Sequence, residues 1–359
     1  MKRLHLALAS IFGIFFILLG ITGSTLVYRD TFTQISAPKL DINYLDYEVH
    51  DIDRLITELE SHYTELKVRS IKLPAHPRDH YLFSIRYLND QQAQSTQIYI
   101  NPVSMAISPA IEHRNPIEAF VYEFHSSYFM EENGTTLVGI TGAGISVLVL
   151  IGFYIWMPSS GRFKQSLRVP EKSTGAVLLS WLHRTSGACF TPLLLIISLT
   201  GLMLVFRPAM ILPFSSSPVI SQVDSKTITF TCFSSPGIDD YLYSAEQLFP
   251  QADATHIKLP KRDSRLVEIT LRHDDEVNSA LGLTKVYLDT NCAAPVKYRD
   301  GRALTLSEAL TETIVSLHNG SFFGVTGQLI YLLTGILPLF FGLSGGILWL
   351  SRRRLRRAR

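Results

Sequence analysis

Four windows of the chain contain no Asp, Glu, Lys, Arg or His: Leu6–Tyr28, Gly134–Gly161, Thr185–Phe206 and Asn319–Ser351. Each is long enough for a helix crossing a hydrocarbon core of about 30 Å, which takes roughly 20 apolar residues. Buried helices of a soluble core normally keep a polar stripe, and these keep none. The pattern between the windows is different. Asp51–Leu66 places Ile52, Leu55, Ile56 and Leu59 on one helical face. Tyr81–Tyr87 and Gln97–Ile100 alternate apolar with polar, as half-buried strands do. The second long segment predicts a helix over Ser244–Phe249 and strands over Leu266–Arg272 and Thr284–Asp289. Short helices are expected over Pro116–Phe129 and Leu306–His318. Polar and glycine endings, Met130-Glu131-Glu132-Asn133-Gly134 and Asn319-Gly320-Ser321, predict breaks before the spans that follow.

This divides the chain into transmembrane helix 1 (1–29), an external α+β module (30–115), a membrane-proximal helix (116–133) and transmembrane helix 2 (134–157). A connector (158–183), transmembrane helix 3 (184–207), a second module (208–304) and a second membrane-proximal helix (305–320) follow. Transmembrane helix 4 (321–351) and a basic tail (352–359) complete it. The opening Met1-Lys2-Arg3 before an apolar run resembles a signal peptide, but the run is long and Gly23-Ser24-Thr25-Leu26 is a poor cleavage site; it reads as an uncleaved anchor.

The second half repeats the first. With His5 placed over His183, Thr22-Gly23 falls on Thr200-Gly201 and Leu26-Val27-Tyr28-Arg29 on Leu204-Val205-Phe206-Arg207. With His125 over His318, Gly134 falls on Gly327, Thr141-Gly142 on Thr334-Gly335, and Trp156 on Trp349. Ile71-Lys72-Leu73-Pro74 recurs as Ile257-Lys258-Leu259-Pro260. The unit is span, external module, span. Two crossings per unit make it a parallel repeat.

Composition narrows the class. Of 359 residues 47% are hydrophobic and only 18% charged, which excludes an ordinary soluble enzyme. A net charge of +2 argues against a dedicated nucleic-acid binder. That near-neutrality is a cancellation. Lys2, Arg3, the connector Pro158–Arg184 and the tail after span four hold 13 of the 33 basic residues and 1 of the 31 acidic ones, a net of +12 against −10 for the rest. Basic short flanks stay on the cytoplasmic side, so both termini and the connector belong there and the two long loops lie outside, in a bacterial periplasm or its equivalent. The arginine tail reads as a membrane-surface anchor rather than a nucleic-acid patch. Cys232 and Cys292 share one external loop, where a disulfide is possible; Cys189 lies within span three as a packing residue.

Of 11 histidines, seven lie in the external segments and read as solvated: His50, His62, His76, His80, His113, His256 and His273. The other four fall in register in the repeat. His5 and His183 open spans one and three at the cytoplasmic face; His125 and His318 precede spans two and four at the external face. The repeat therefore places one histidine pair on each membrane side. Any one alone would be an ordinary interfacial histidine, yet an ionisable group beside a span is a functional candidate. Two imidazoles on neighbouring helices suit the axial positions of a b-type haem, two haems in all. Covalent attachment is excluded by the lack of CxxCH, and zinc is less suited because each side offers only two His with no companion Cys or paired acids. Gly20, Ser24, Gly342 and Gly346 suit either a flat cofactor or close helix packing. Arg29 and Arg207, matched at the external ends of spans one and three, are candidate partners of haem propionates; such arginines more often snorkel. No GxGxxG follows a strand, so no built-in NAD(P) or flavin site is expected.

His5 with Gly20-Ile21-Thr22-Gly23, Phe124-His125 before Gly134, Trp181-Leu182-His183-Arg184, Leu317-His318-Asn319-Gly320 and the two IKLP-bearing modules together resemble the PepSY-associated transmembrane family of bacterial inner membranes. One departure is Leu6 after His5, where relatives often carry Arg. The resemblance covers nearly the whole chain. It implies PepSY-like external modules, His5, His183, His125 and His318 as haem-iron ligands, and reduction of ferric siderophores in the periplasm. The electrons would come from a cytoplasmic reductant such as reduced flavin or a flavoprotein. A different class of function keeps the bundle as a cofactor-free scaffold whose modules bind or inhibit envelope proteases. A transporter is disfavoured because the spans hold no acid or base at midplane.

Overall fold

The computed structural model describes residues 1–28, 52–63, 66–74, 80–87, 96–101, 106–108, 111–112, 116–158, 162–171, 174–206, 221–223, 232–260, 264–276 and 282–357. The chain divides into two compact units. One comprises Met1–Phe32, Pro116–Phe214 and Thr311–Arg359; the other comprises Thr33–Asn115 and Ser215–Leu310.

The first unit holds four helices long and apolar enough to cross a membrane. They are α1 (Lys2–Val27), α4 (Glu131–Trp156), α6 (Gly175–Val205) and α9 (Gly324–Arg357); α3 (Pro116–Ser127), the short α5 (Phe163–Leu167) and the end of α8 (Leu306–Asn319) accompany them. Their hydroxyl residues satisfy themselves locally: Thr22, Thr141, Thr200, Thr334 and Ser344 each donate to the carbonyl four residues earlier. That leaves each hydroxyl oxygen free to accept. The main helix contacts run α4 with α6 and α1 with α9, so each half of the sequence packs its spans against those of the other half. Glycines permit this approach. A Cβ on Gly20 would fall 2.5 Å from Gly335 O, and one on Gly335 would strike Ser24, whose Oγ donates to Leu332 O at 3.0 Å. The register-equivalent Gly142 faces Ser198 and Leu202 of α6. Of the four small residues that suited packing or a cofactor equally, Gly20 and Ser24 therefore pack, Gly342 meets Ile17, and Gly346 has open space.

The breaks before the spans arise differently in the two halves. Gly320 takes the left-handed conformation (φ 78°) between α8 and a 3-10 turn at Ser321–Phe323, where the sequence expects it. In the first half the break opens at Tyr128 and Phe129 (φ 48° and 61°) and runs into the expected segment as far as Glu131 (φ 48°); Gly134 is already inside α4. Gly134 is needed there for closeness, since a Cβ would collide with Ser127 O.

The second unit is built on one antiparallel nine-stranded sheet, in the order β4-β3-β2-β1-β6-β7-β8-β9-β5. Its strands are β1 (Leu66–Lys72), β2 (Tyr81–Tyr87), β3 (Thr96–Ile100), β4 (Ile111–Glu112), β5 (Ser221–Gln222), β6 (Asp253–Lys258), β7 (Leu266–Arg272), β8 (Thr284–Asp289) and β9 (Pro295–Arg299). The halves join at β1 and β6, where Ser70 opposes Lys258, Ile71 opposes Ile257 and Lys72 opposes His256. The two IKLP segments thus lie side by side, their isoleucines directly paired. Helices α2 (Ile52–His62) and α7 (Ile238–Leu248) pack on the face that presents Ile71, Phe83, Ile85, Ile257, Ile269 and Val286. Asp53 of α2 accepts from Ile238 N at the start of α7, tying the halves again. The second helix begins six residues before the expected Ser244, because Gly237 and Asp240 cap it.

Cys232 and Cys292 are bonded across 60 residues of sequence. By the loop-entropy account such a crosslink contributes about 4 kcal/mol. The Cys232→Ser/Cys292→Ser chain is therefore expected to unfold its extramembrane unit at a lower temperature, read as an earlier loss of β-sheet circular dichroism. An unchanged transition would assign the bond no structural weight.

Three loop histidines expected to be solvated, His273, His256 and His80, are at least partly buried. His273 is buried beside Phe249, with ring centroids 5.7 Å apart. His256 is half-buried, and burial, with the charges of Lys258, Lys72 and Lys285 outweighing Glu268, pushes it down to about 4. A folded-state value below the unfolded 6.5 means the stabilisation from neutral His256 is present above about pH 6.5 and lost as pH falls toward 4. Allowing for screening of a partly exposed group, the loss is about 1–2 kcal/mol. His256→Gln should flatten that acid-side decline in thermal stability; an unchanged profile would place the effect elsewhere. His62 is exposed, as expected, and His80 packs edge-on to Tyr99. His50, His76 and His113 lie outside the described residues.

Candidate functional site

All four in-register histidines sit inside the helical unit, each against a glycine. A Cβ on Gly23 would lie 3.0 Å from His125 Cε1, and one on Gly201 would lie 2.9 Å from His318 Cε1. The corresponding contacts are 3.2 Å for Gly152 and His5, and 3.5 Å for Gly345 and His183. Gly23 and Gly201 are equivalent in the repeat register, as are Gly152 and Gly345. Each ring is thus seated on helix backbone where a larger residue would displace it.

Hydrogen bonding fixes how three of the rings are held. His318 Nδ1 lies 3.0 Å from Ile197 O and 3.1 Å from Thr200 Oγ1. A carbonyl can only accept, and the Thr200 proton is already donated to Ile196 O at 2.6 Å, so the imidazole proton is on Nδ1. His125 Nδ1 meets Thr22 Oγ1 at 2.9 Å, with the Thr22 proton donated to Leu18 O at 2.8 Å. His183 Nδ1 meets Ser344 Oγ at 2.7 Å, with the Ser344 proton donated to Phe340 O at 2.6 Å. At His318 the proton is held at Nδ1 and the lone pair is at Nε2, the state of a metal-ligating imidazole; at His125 and His183 the same tautomer complements a hydroxyl that already donates to a carbonyl.

The fourth differs. The His5 ring lies beside the Leu148 backbone, and its buried Nδ1 completes no hydrogen bond. The reason is one residue. In the repeat register the place of Ser344 is taken by Ile151, which has no oxygen to offer.

The rings of His125 and His318 form a tilted pair with centroids 6.2 Å apart and planes inclined by 50°. Two metal–imidazole bonds of about 2 Å, with about 1 Å from each Nε2 to its ring centre, span about 6 Å, so one iron fits between them. On the other side His183 stacks edge-on to Phe341 (5.5 Å) and lies within electrostatic reach of His5. Among the described residues no group of three or more His, Cys, Asp or Glu comes together, so the donors available are paired imidazoles. That donor set matches a haem, whose remaining iron ligands come from the macrocycle. Arg29 and Arg207, the candidate propionate partners, lie outside the described residues.

The histidines and the Thr-Gly pairs stand out in the sequence as repeated positions, but the role of the threonines as Nδ1–H acceptors does not. Ser344 is harder still to find, because the repeat does not preserve it.

A four-span membrane protein with in-register histidines seated at glycines, carrying a mixed α/β unit between its spans, defines the class. The chain belongs to the PepSY-associated TM region family, whose model matches residues 2–352. No curated protein matches it.

Proposed function

We propose that this protein is a dihaem electron-transfer protein of a bacterial inner membrane. It takes electrons from a cytoplasmic reductant, reduced flavin or a flavoprotein, and reduces ferric siderophores in the periplasm to release Fe(II). The observation that carries the reading is the tilted pair His125 and His318, with ring centroids 6.2 Å apart and each ring held through Nδ1.

His125 and His318 would hold one b-type haem and His5 and His183 the other. A bis-imidazole haem supplies a one-electron couple, whose potential its surroundings tune. The chain's own groups orient and exclude. Thr22, Thr200 and Ser344 hold the rings and strengthen Nε2 as a donor; Gly23, Gly152, Gly201 and Gly345 leave room for them; the apolar spans keep water away. The substrate's Fe(III) gains one electron, and Fe(II) is bound less tightly by hard oxygen donors, which loosens the chelate.

We also infer that the chain is an internal duplication with PepSY-like modules. Its support is the direct pairing of Ile71 with Ile257 and the recurrence of the glycine–histidine contact at equivalent places. Placement of both termini in the cytoplasm rests on the basic flanks, and placement of the loops in an oxidising compartment is supported by the Cys232–Cys292 bond. Arg353 over the Trp349 ring (5.3 Å) suits the interfacial end of a span.

The test is the absorption spectrum of the purified full chain. A Soret band that shifts with dithionite, and re-oxidation by ferric siderophores with Fe(II) trapped by a chelator, are expected. Colourless protein after expression with ample haem overturns the reading in favour of the cofactor-free scaffold. Coloured protein that no siderophore re-oxidises overturns the substrate alone.

A further inference from the structure

The extramembrane sheet has one face covered by α2 and α7; the other, among the described residues, meets a helix at its β9 end, where Glu308 in the first turn of α8 lies 3.6 Å from Arg299. Charge is sorted between these sides. The two helices carry Asp53, Glu58, Glu60, Asp239, Asp240 and Glu246 against the single cation Arg54. The strand registers put Lys72, His256 and Lys285 in one row across the opposite face. Lys258, Glu268 and Lys297 form the next row, and the Lys67–Arg86 pair lies beyond. Glu268 is the one acid that the strands contribute to these rows; the first row ends at Arg299, whose charge is met by Glu308 of α8. Glu268 is shared between Lys258 (3.1 Å) and Lys285 (3.3 Å), so it neutralises less than half of the charge. This concentration stands against the net −10 of the chain outside its basic flanks, so it is not a reflection of composition.

The cations have a centre. Lys72, Lys258 and Lys285 all act electrostatically on His256, in the middle of the sheet. Lys72 and Lys258 are equivalent in the two IKLP segments, so the β1–β6 pairing brings the same lysine of each half to the same face. The Lys258 side chain is half exposed.

We propose that this face docks polyanionic ferric chelates, those whose carboxylate or catecholate donors leave a net negative charge, around Lys72, Lys258 and Lys285. Converging cations at a partly dry surface favour an anion and raise its local concentration, and neutral chelates gain neither advantage. The proposal rests on the reading of the chain as a ferric-chelate reductase, and it narrows the substrate to one charge class.

The experiment uses a redox-inert probe, so that docking is read apart from electron transfer. Gallium(III) held by a tris-catecholate is titrated against the full chain in neutral detergent, with gallium(III) held by an uncharged tris-hydroxamate as comparison. Expected are binding of the anionic probe that weakens with added salt, and at least about tenfold weaker binding of the neutral one. Lys72→Gln/Lys258→Gln should weaken the anionic probe at least about fivefold while leaving thermal unfolding unchanged. The His125→Ala/His318→Ala chain should bind the probe normally, so that failure of the haem reading and failure of docking give different results. Equal binding of both probes, binding of neither, or insensitivity to the lysine substitutions overturns the proposal. Phosphatidylglycerol vesicles bound through these lysines, with probe binding retained in the glutamine variant, would assign the face to lipid headgroups and overturn it too.

Discussion

His125→Ala and His318→Ala are each expected to remove one of two haems, leaving a chain with about half the Soret absorbance per mole of protein. In the proposed site each ring is one of the two imidazoles brought together there among the described residues, and the partner 6.2 Å away would be left without its pair. The glycine contacts sharpen the expectation. Gly23 and Gly201, against the rings, offer no side-chain donor of their own to replace them. Because His5 and His183 are held by different residues on α4 and α9, their haem should persist in these variants with its own reduced spectrum. His5→Ala and His183→Ala should each give the reciprocal result. Full colour in all four single variants would show that the histidines are not the ligands, and would return them to interfacial residues.

The second large effect is expected at hydroxyls that touch no iron. Removing an outer partner of a metal-bound histidine typically costs 10–100-fold in affinity. Thr200→Val and Thr22→Val keep the shape of the side chain but delete the oxygen that accepts from Nδ1–H. Haem dissociation on the His125/His318 side should quicken by about that factor, with a shift in reduction potential. Thr→Ser should rescue both, which a purely packing role would not predict. The two substitutions should act alike, because each ring keeps a backbone carbonyl as a second acceptor, Ile197 O for His318 and that of Leu19 for His125. On the other side Ser344→Ala should act on His183, and Ile151→Ser should supply His5 with the acceptor that it lacks and slow haem loss. Retention times and potentials unchanged across the set would leave the hydroxyls as helix packing only.

A great deal of this was legible in the chain. Four uncharged windows of adequate length require four spans, because an exposed backbone in hydrocarbon has no alternative to the helix. The strands Tyr81–Tyr87, Leu266–Arg272 and Thr284–Asp289 have the predicted bounds, since alternation is strongest where one face meets a core. The repeat register singled out His5, His125, His183 and His318 among 11 histidines, where composition singled out none. Less visible were β1, β6 and β9. Leu66–Lys72 was partly absorbed into the preceding helical pattern, and Asp253–Lys258 is interrupted by a bulge that breaks its alternation.

What the sequence determined by itself, then, is what local period and recurring motifs carry: the four helices able to span a membrane, the places of the four histidines at their ends and the recurrence of the IKLP segment. Only the tertiary structure decided which surfaces meet. Nothing in either IKLP segment states that Ile71 will lie beside Ile257, making one sheet of two, or that the cations of both halves will then share a face. Nor does a Thr-Gly pair in an apolar helix declare that its oxygen holds an imidazole over 100 residues away. Such contacts depend on the packing of distant elements, and the differences between the halves, Ile151 for Ser344 above all, acquire meaning only once that packing is known.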